Sequence, residues 1–180
     1  DMNRFKSFLR RLTQLRLGCE LWTDNMRANL IDEELLSLYG EAGGTNVCIG
    51  VESGSPEVFD SIHKSETFSD IFGAAKLVRS HRLRLGLCFV IGLPGDNLSR
   101  HRESMRLARR LKPDYVFWNM CVAWPGTAVR EWFETNGTIR DGRNFSTLMS
   151  PHGEFQPPVC ASPDFTQKQR IAAWLSANLE

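Results

Sequence analysis

An excess of charge of either sign is the first thing this 180-residue sequence lacks: 22 Lys and Arg stand against 21 Asp and Glu, for a net charge of +1. A surface built to neutralise phosphates, or a polybasic patch for anionic lipid, is therefore not implied, so neither nucleic acid nor membrane is indicated as a partner. No run approaches the ~20 apolar residues of a spanning helix, and no charged-then-apolar leader opens the chain. Low-complexity tracts and short internal repeats are absent, as are GxGxxG, P-loop, HExxH and GxSxG strings. Cysteine is sparse and scattered. Cys19, Cys48, Cys88, Cys121 and Cys160 stand too far apart to form a CxxC knuckle or an iron–sulfur loop, so no metal ligands are nominated. Their odd number, and the apolar neighbours of Cys48 and Cys88, read instead as buried free thiols in a reducing, cytoplasmic compartment.

What is present is an ordinary globular composition. With 42% hydrophobic and 24% charged residues, the chain can bury one sizeable core. Phe5, Phe8, Leu9, Leu12 and Leu15 or Arg16 fall at helical spacing up to Gly18. Residues 19–23 read as a short strand. Asp32 then caps a helix with Glu33 and Glu34 in its first turn, which ends at Gly43 or Gly44. Residues 46–51 are apolar almost throughout, as expected of a strand covered on both faces of a parallel sheet. Ser55-Pro56 opens a short helix and a longer one runs from about Thr67 or Ser69 to His81. A second apolar strand covers 85–91, a helix 99–111, a last strand 115–123 and a Thr127-capped helix the residues to Asn136. Strand and helix thus alternate, which predicts an α/β fold with parallel strands, a sheet or part of a barrel. Residues 1–136 form the expected main domain. Residues 137–180 form an extension, an irregular Pro-containing loop followed by a helix with Thr166 and Gln169 in capping-box spacing.

In such a fold, ligands bind beyond the carboxyl ends of the strands. Those ends offer Asp24, Asn25 and Arg27; then Glu52, Ser53, Gly54 and Ser55; then Gly92, Pro94, Gly95 and Asp96; and last Trp124, Pro125, Gly126 and Thr127. Most of this is what any βα turn contains. Glu52 is different, because a carboxylate ending a wholly apolar strand is costly without a partner. It can accept from a ligand hydroxyl or amine, or pair with Arg27. Gly54 would let a ligand approach the backbone. His63, His81, His101 and His152 read as plain surface histidines.

Taken in order, Leu21-Trp22-Thr23 to Arg27, Ile31-Asp32-Glu33-Glu34-Leu35-Leu36, Gly50-Val51-Glu52-Ser53-Gly54-Ser55, Lys64, Val90-Ile91-Gly92-Leu93-Pro94-Gly95 and Pro125-Gly126-Thr127 resemble the radical S-adenosylmethionine (SAM) enzymes. The likeness is greatest to the branch whose members often carry a cobalamin-binding domain upstream, with methylthiotransferases as near relatives. The resemblance implies strands three to six of a (β/α)6 partial TIM-type barrel. It also implies an enzyme that uses a [4Fe–4S] cluster and SAM to generate a 5′-deoxyadenosyl radical, for methylation, methylthiolation or another modification of an unknown substrate. There the cofactor does the hard chemistry and the protein positions it. By the match, Glu52, Ser53 and Gly54 lie where the family contacts the ribose and methionine of SAM, and Arg27 where a cation meets its carboxylate. Ile91, Gly92, Leu93 and Pro94 lie where a strand packs on the adenine. Asp96 stands where the family has Glu.

The departure is the cluster loop. The family's CxxxCxxC is missing, so the cluster ligands, any cobalamin domain and an electron donor are expected outside this chain, which alone should be inactive. The start at Asp1, without Met, favours a fragment over a domain that has lost its cluster. Two other readings remain open: a non-catalytic module binding a SAM-like ligand or a partner on a degenerate barrel, and an unrelated βα-barrel enzyme for a phosphorylated metabolite.

Overall fold

The computed structural model describes residues 1–140 and 157–179. The order is α1 (Met2–Leu15), β1 (Leu21–Met26), a short 3-10 turn, α2 (Glu33–Glu41), β2 (Gly44–Glu52), α3 (Pro56–Ser61), α4 (Phe68–Ser80), β3 (Arg84–Ile91), α5 (Leu98–Leu111), β4 (Tyr115–Met120) and α6 (Ala128–Asn136). Two short strands, β5 (Thr138–Ile139) and β6 (Cys160–Ala161), and a last helix α7 (Gln167–Leu179) complete it. The strands β1-β2-β3-β4 form one parallel sheet in chain order, as the alternating pattern predicts.

Local chemistry explains the helix starts. Asp32 accepts from the Leu35 amide at 2.7 Å, Thr67 and Asp70 form a reciprocal capping box, and Thr166 with Gln169 forms another. Asp1, the first residue, caps α1 by accepting from the Arg4 amide at 3.1 Å. Ser55 stands at the α3 cap position ahead of Pro56, yet its hydroxyl donates to Glu57 at 2.7 Å rather than accepting from the helix.

The chain forms two compact units. The first contains residues 1–51, 65–88 and 111–117. Its core holds Leu35, Leu36, Tyr39, Val47, Ile49, Ile71, Val78 and Leu85, all fully buried. Within it Trp22 of β1 stacks on Tyr115 of β4, ring centroids 6.3 Å apart. Two strands lie between β1 and β4 in the sheet, so a stack between them requires the sheet to curl. Gly86 makes room for this, because any Cβ there would overlap the Tyr115 ring. Helix α1 is tied to α2 by Lys6 to Asp32 and Glu34, and by Arg10 to Glu34. Leu9 of its apolar stripe is buried, whereas Phe8 and Leu15 are exposed.

The second unit contains residues 52–64, 89–110 and 118–180. Its core joins Val58, Leu93, Cys121, Ala123, Phe133 and Cys160. Two stretches of the expected irregular loop form short strands: β5 and β6 pair antiparallel, Thr138 with Ala161 and Ile139 with Cys160. Residues 141–156 of that loop lie outside the described residues. Among the cysteines Cys48, Cys88, Cys121 and Cys160 are buried free thiols as expected, but Cys19 is exposed. Among the described residues no helix is long and apolar enough to cross a membrane.

Candidate functional site

The turn after β2 begins with a strained residue. Glu52 ends the strand at φ +68°, a left-handed conformation that a non-glycine residue adopts only at a cost. Its carboxylate stays a quarter exposed and accepts from Lys64 Nζ at 3.0 Å through Oε1. Among the described residues Oε2 takes no partner. The cation facing Glu52 is thus Lys64, twelve residues on, whereas Arg27 donates from Nε to the buried Glu66 at 3.1 Å. Lys64 belongs to the motif, but nothing local in the sequence says that it folds back onto Glu52.

The rest of that turn closes on itself. Ser53 is buried and its hydroxyl accepts from the Ser55 amide at 3.1 Å. The Gly54 amide donates to Ser104 Oγ of α5 at 2.8 Å, and a Cβ on Gly54 would lie 2.6 Å from Ser104 Cα. Glycine is required here by the approach of α5. Gly54 therefore serves the packing of this turn against α5.

The loop after β3 is held from every side. Ile91 and Leu93 are buried, Pro94 is half-buried and Gly95 exposed. Gly92, at φ +85°, donates its amide to Asp96 Oδ2 at 2.8 Å, and its carbonyl accepts from Arg170 Nη1 of α7 at 2.9 Å. Asp96 also accepts from the Asn97 amide at 2.8 Å, its own amide donates to the Leu93 carbonyl at 2.9 Å, and Arg100 donates to the Gly95 carbonyl. Burial pushes the Asp96 carboxyl up to about 6, although both amide donors favour its ionised form. Asp96 is therefore the clasp of the loop.

Arg170 is 1% exposed. Its Nε donates to the Phe165 carbonyl at 2.8 Å, and the guanidinium lies 5.3 Å from the Phe133 ring centroid and 5.2 Å from that of Phe165. Its Nη2 has no partner among the described residues. Burial pulls its pKa below the ordinary arginine value. Beside it Cys160 donates to the Cys121 carbonyl at 3.2 Å and receives Arg170 Nη1 at 3.8 Å.

Among the remaining residues, Trp118 is buried, stacked on Phe89 at 4.6 Å with His101 edge-on at 5.4 Å, whereas Trp124 is half exposed. His101 is thus buried, contrary to its reading as a surface residue; His81 reaches Glu33 at 3.1 Å, and His152 lies outside the described residues. An open groove of about 880 Å³, lined by Asn136, Gly137, Ser162, Thr166, Gln167 and Lys168 among others, contains none of the residues nominated from the sequence. Among the described residues no group of three or more His, Cys, Asp and Glu could hold a metal ion. The side chains described thus do not fit an iron–sulfur cluster as its ligands. The Glu52 carboxylate, half-satisfied among the described residues, does fit a ligand that brings hydroxyl or ammonium donors.

Compared with known structures, the chain superposes on the radical S-adenosylmethionine methyltransferase TsrM of Kitasatospora setae, solved with cobalamin and a [4Fe–4S] cluster, with a TM-score of 0.69. The fold is that of the radical SAM enzymes. The superposition covers 96% of this chain and 40% of TsrM, at 17% identity. Escherichia coli coproporphyrinogen III oxidase, also a radical SAM enzyme, matches with a TM-score of 0.65 over 97% of this chain and 36% of its own, again at 17% identity. In sequence, an uncharacterized methyltransferase of Pyrococcus horikoshii is 26% identical over 150 residues, 82% of this chain and 31% of that protein. The chain thus spans less than a third of that relative's length. No family model matches the sequence.

Proposed function

We propose that this chain supplies the SAM-side and substrate-side strands of a radical SAM enzyme, one that modifies its substrate by methylation, methylthiolation or a related transfer. The fold likeness supports the class. The observation that carries the assignment to a site is Glu52, a strained, partly exposed carboxylate with one oxygen on Lys64 and the other open among the described residues. Backbone strain of this kind persists where surrounding structure enforces it, and such positions cluster at ligand sites. In the intact protein a [4Fe–4S] cluster ligated outside the described residues would supply reductive cleavage of SAM. The residues of this chain bind and orient. Glu52 Oε2 accepts from the ribose hydroxyls or the ammonium of SAM, while Lys64 fixes the rotamer of the carboxylate. The Gly92–Gly95 loop presents a backbone edge held rigid by Asp96, Arg100 and Arg170. The implied residues Ser53 and Gly54 act in support, by locking the turn that carries Glu52.

Calorimetric titration of the protein that carries this chain, with SAM and separately with a sugar phosphate, tests the reading. Micromolar SAM binding and no sugar-phosphate binding is expected. The reverse would favour a metabolite enzyme on an unrelated βα barrel.

A further inference from the structure

We infer that Arg170, on the last helix and outside every motif of the family resemblance, is a positioning residue for the Gly92–Gly95 loop. The inference deepens the proposed function and rests on it for the ligand, though not for the loop. A guanidinium that is 1% exposed is a costly side chain to bury, and an apolar residue of similar volume would hold α7 against Phe133 and Phe165 equally well. What the guanidinium adds is direction. Nε holds the Phe165 carbonyl, just ahead of α7, while Nη1 holds the Gly92 carbonyl, 78 residues away in sequence. The two bonds form one rigid fork.

Gly92 is matched to this fork in two ways. Its φ of +85° suits glycine, and a Cβ there would overlap the Arg170 guanidinium. With Asp96 on its amide and Arg170 on its carbonyl, Gly92 has both of its polar groups fixed by buried ionisable side chains. A ligand resting on this loop therefore meets a backbone whose orientation is set from α7. Without the fork the carbonyl can rotate, and part of the binding energy is spent on ordering the loop.

The test uses Arg170→Met, which keeps the buried volume, and Arg170→Lys, which keeps the charge without the fork. Both are made in the protein that carries this chain. Hydrogen exchange of the amides of Gly92, Asp96 and Asn97 is measured without ligand, SAM affinity by calorimetry, and unfolding by denaturant. Arg170→Met is expected to remain folded, to exchange about tenfold faster at these three amides, and to bind SAM about tenfold more weakly. Arg170→Lys should fall between Met and wild type in both. A folded Arg170→Met with wild-type exchange and affinity would overturn the inference. If Arg170→Met does not fold, Arg170→Lys decides alone: wild-type exchange and affinity there would overturn the role of the fork. If the wild type binds no SAM, the ligand reading fails, while the exchange rates still test the loop.

Discussion

The two turns that the sequence nominates most strongly, after β2 and after β3, have opposite designs. After β2, the chain ties Ser53 to the Ser55 amide and Gly54 to Ser104, and leaves Glu52 strained, partly exposed and, among the described residues, half-satisfied. After β3, the charged groups are drawn inward: Asp96 is buried as a clasp and Arg170 comes from α7 to hold the carbonyl. The comparison shows that motif residues divide into one that can face a ligand and several that keep the backbone in place. Both turns contain a glycine whose absent side chain makes room for protein: α5 at Gly54, and Arg170 at Gly92.

The largest effect should come from breaking the second turn. Gly92→Ala combines an unfavourable φ with overlap on a buried guanidinium, and should lower unfolding free energy by about 4 kcal/mol in denaturant titrations.

The pH dependence of stability sharpens the contrast. Burial raises the folded-state value of Asp96 from 3.8 to about 6, so the folded state holds this proton more tightly than the unfolded chain. The stabilisation from Asp96 is therefore complete below about pH 4 and is lost as pH rises through about 6, by about 3 kcal/mol. Comparing Asp96→Asn with wild type across about pH 4–7 should show this fall in the wild type alone. A parallel pair of curves would mean that Asp96 is not desolvated.

Breaking the first turn should cost less. Gly54→Ala has no φ penalty, but its Cβ would meet the backbone of α5, at 2.6 Å from Ser104 Cα and 2.9 Å from the Glu103 carbonyl oxygen. A loss of about 2 kcal/mol is expected from the same denaturant titration. Glu52 should respond in the other sense. Glu52→Gly relieves the left-handed strain and loses only a partly exposed ion pair, so stability should hold or rise by up to about 1 kcal/mol while SAM binding falls.

Much of the fold is legible because its signals are local. The apolar run that becomes β2, the caps at Asp32 and Thr127, and the Thr166–Gln169 box each lie within a few residues, and each is found where its spacing puts it. Strand ends are less legible. Asp24 and Asn25 lie inside β1, not beyond it, because the strand continues through an irregular register to Met26. The site is read least well where contacts are distant in sequence. Ser104 meets Gly54 across 50 residues and Arg170 meets Gly92 across 78, and neither partner carries a local mark. On α7, Arg170 resembles a surface arginine until the two phenylalanine rings are placed around it. His101 is similar, since an Arg-rich helix gives no sign that one polar position turns against Trp118.

The most direct measurement is SAM affinity and thermal stability of Glu52→Gln, Lys64→Met and the double variant, in the protein that carries this chain. Loss of a charge-assisted hydrogen bond, about 1.5–3 kcal/mol, predicts roughly ten- to hundredfold weaker SAM binding in Glu52→Gln. Its melting temperature should change little, because the Lys64 pair is partly solvated. Unchanged SAM affinity in Glu52→Gln, or a loss of stability that Lys64→Met restores, would contradict the ligand role and leave Glu52 as one half of a structural ion pair.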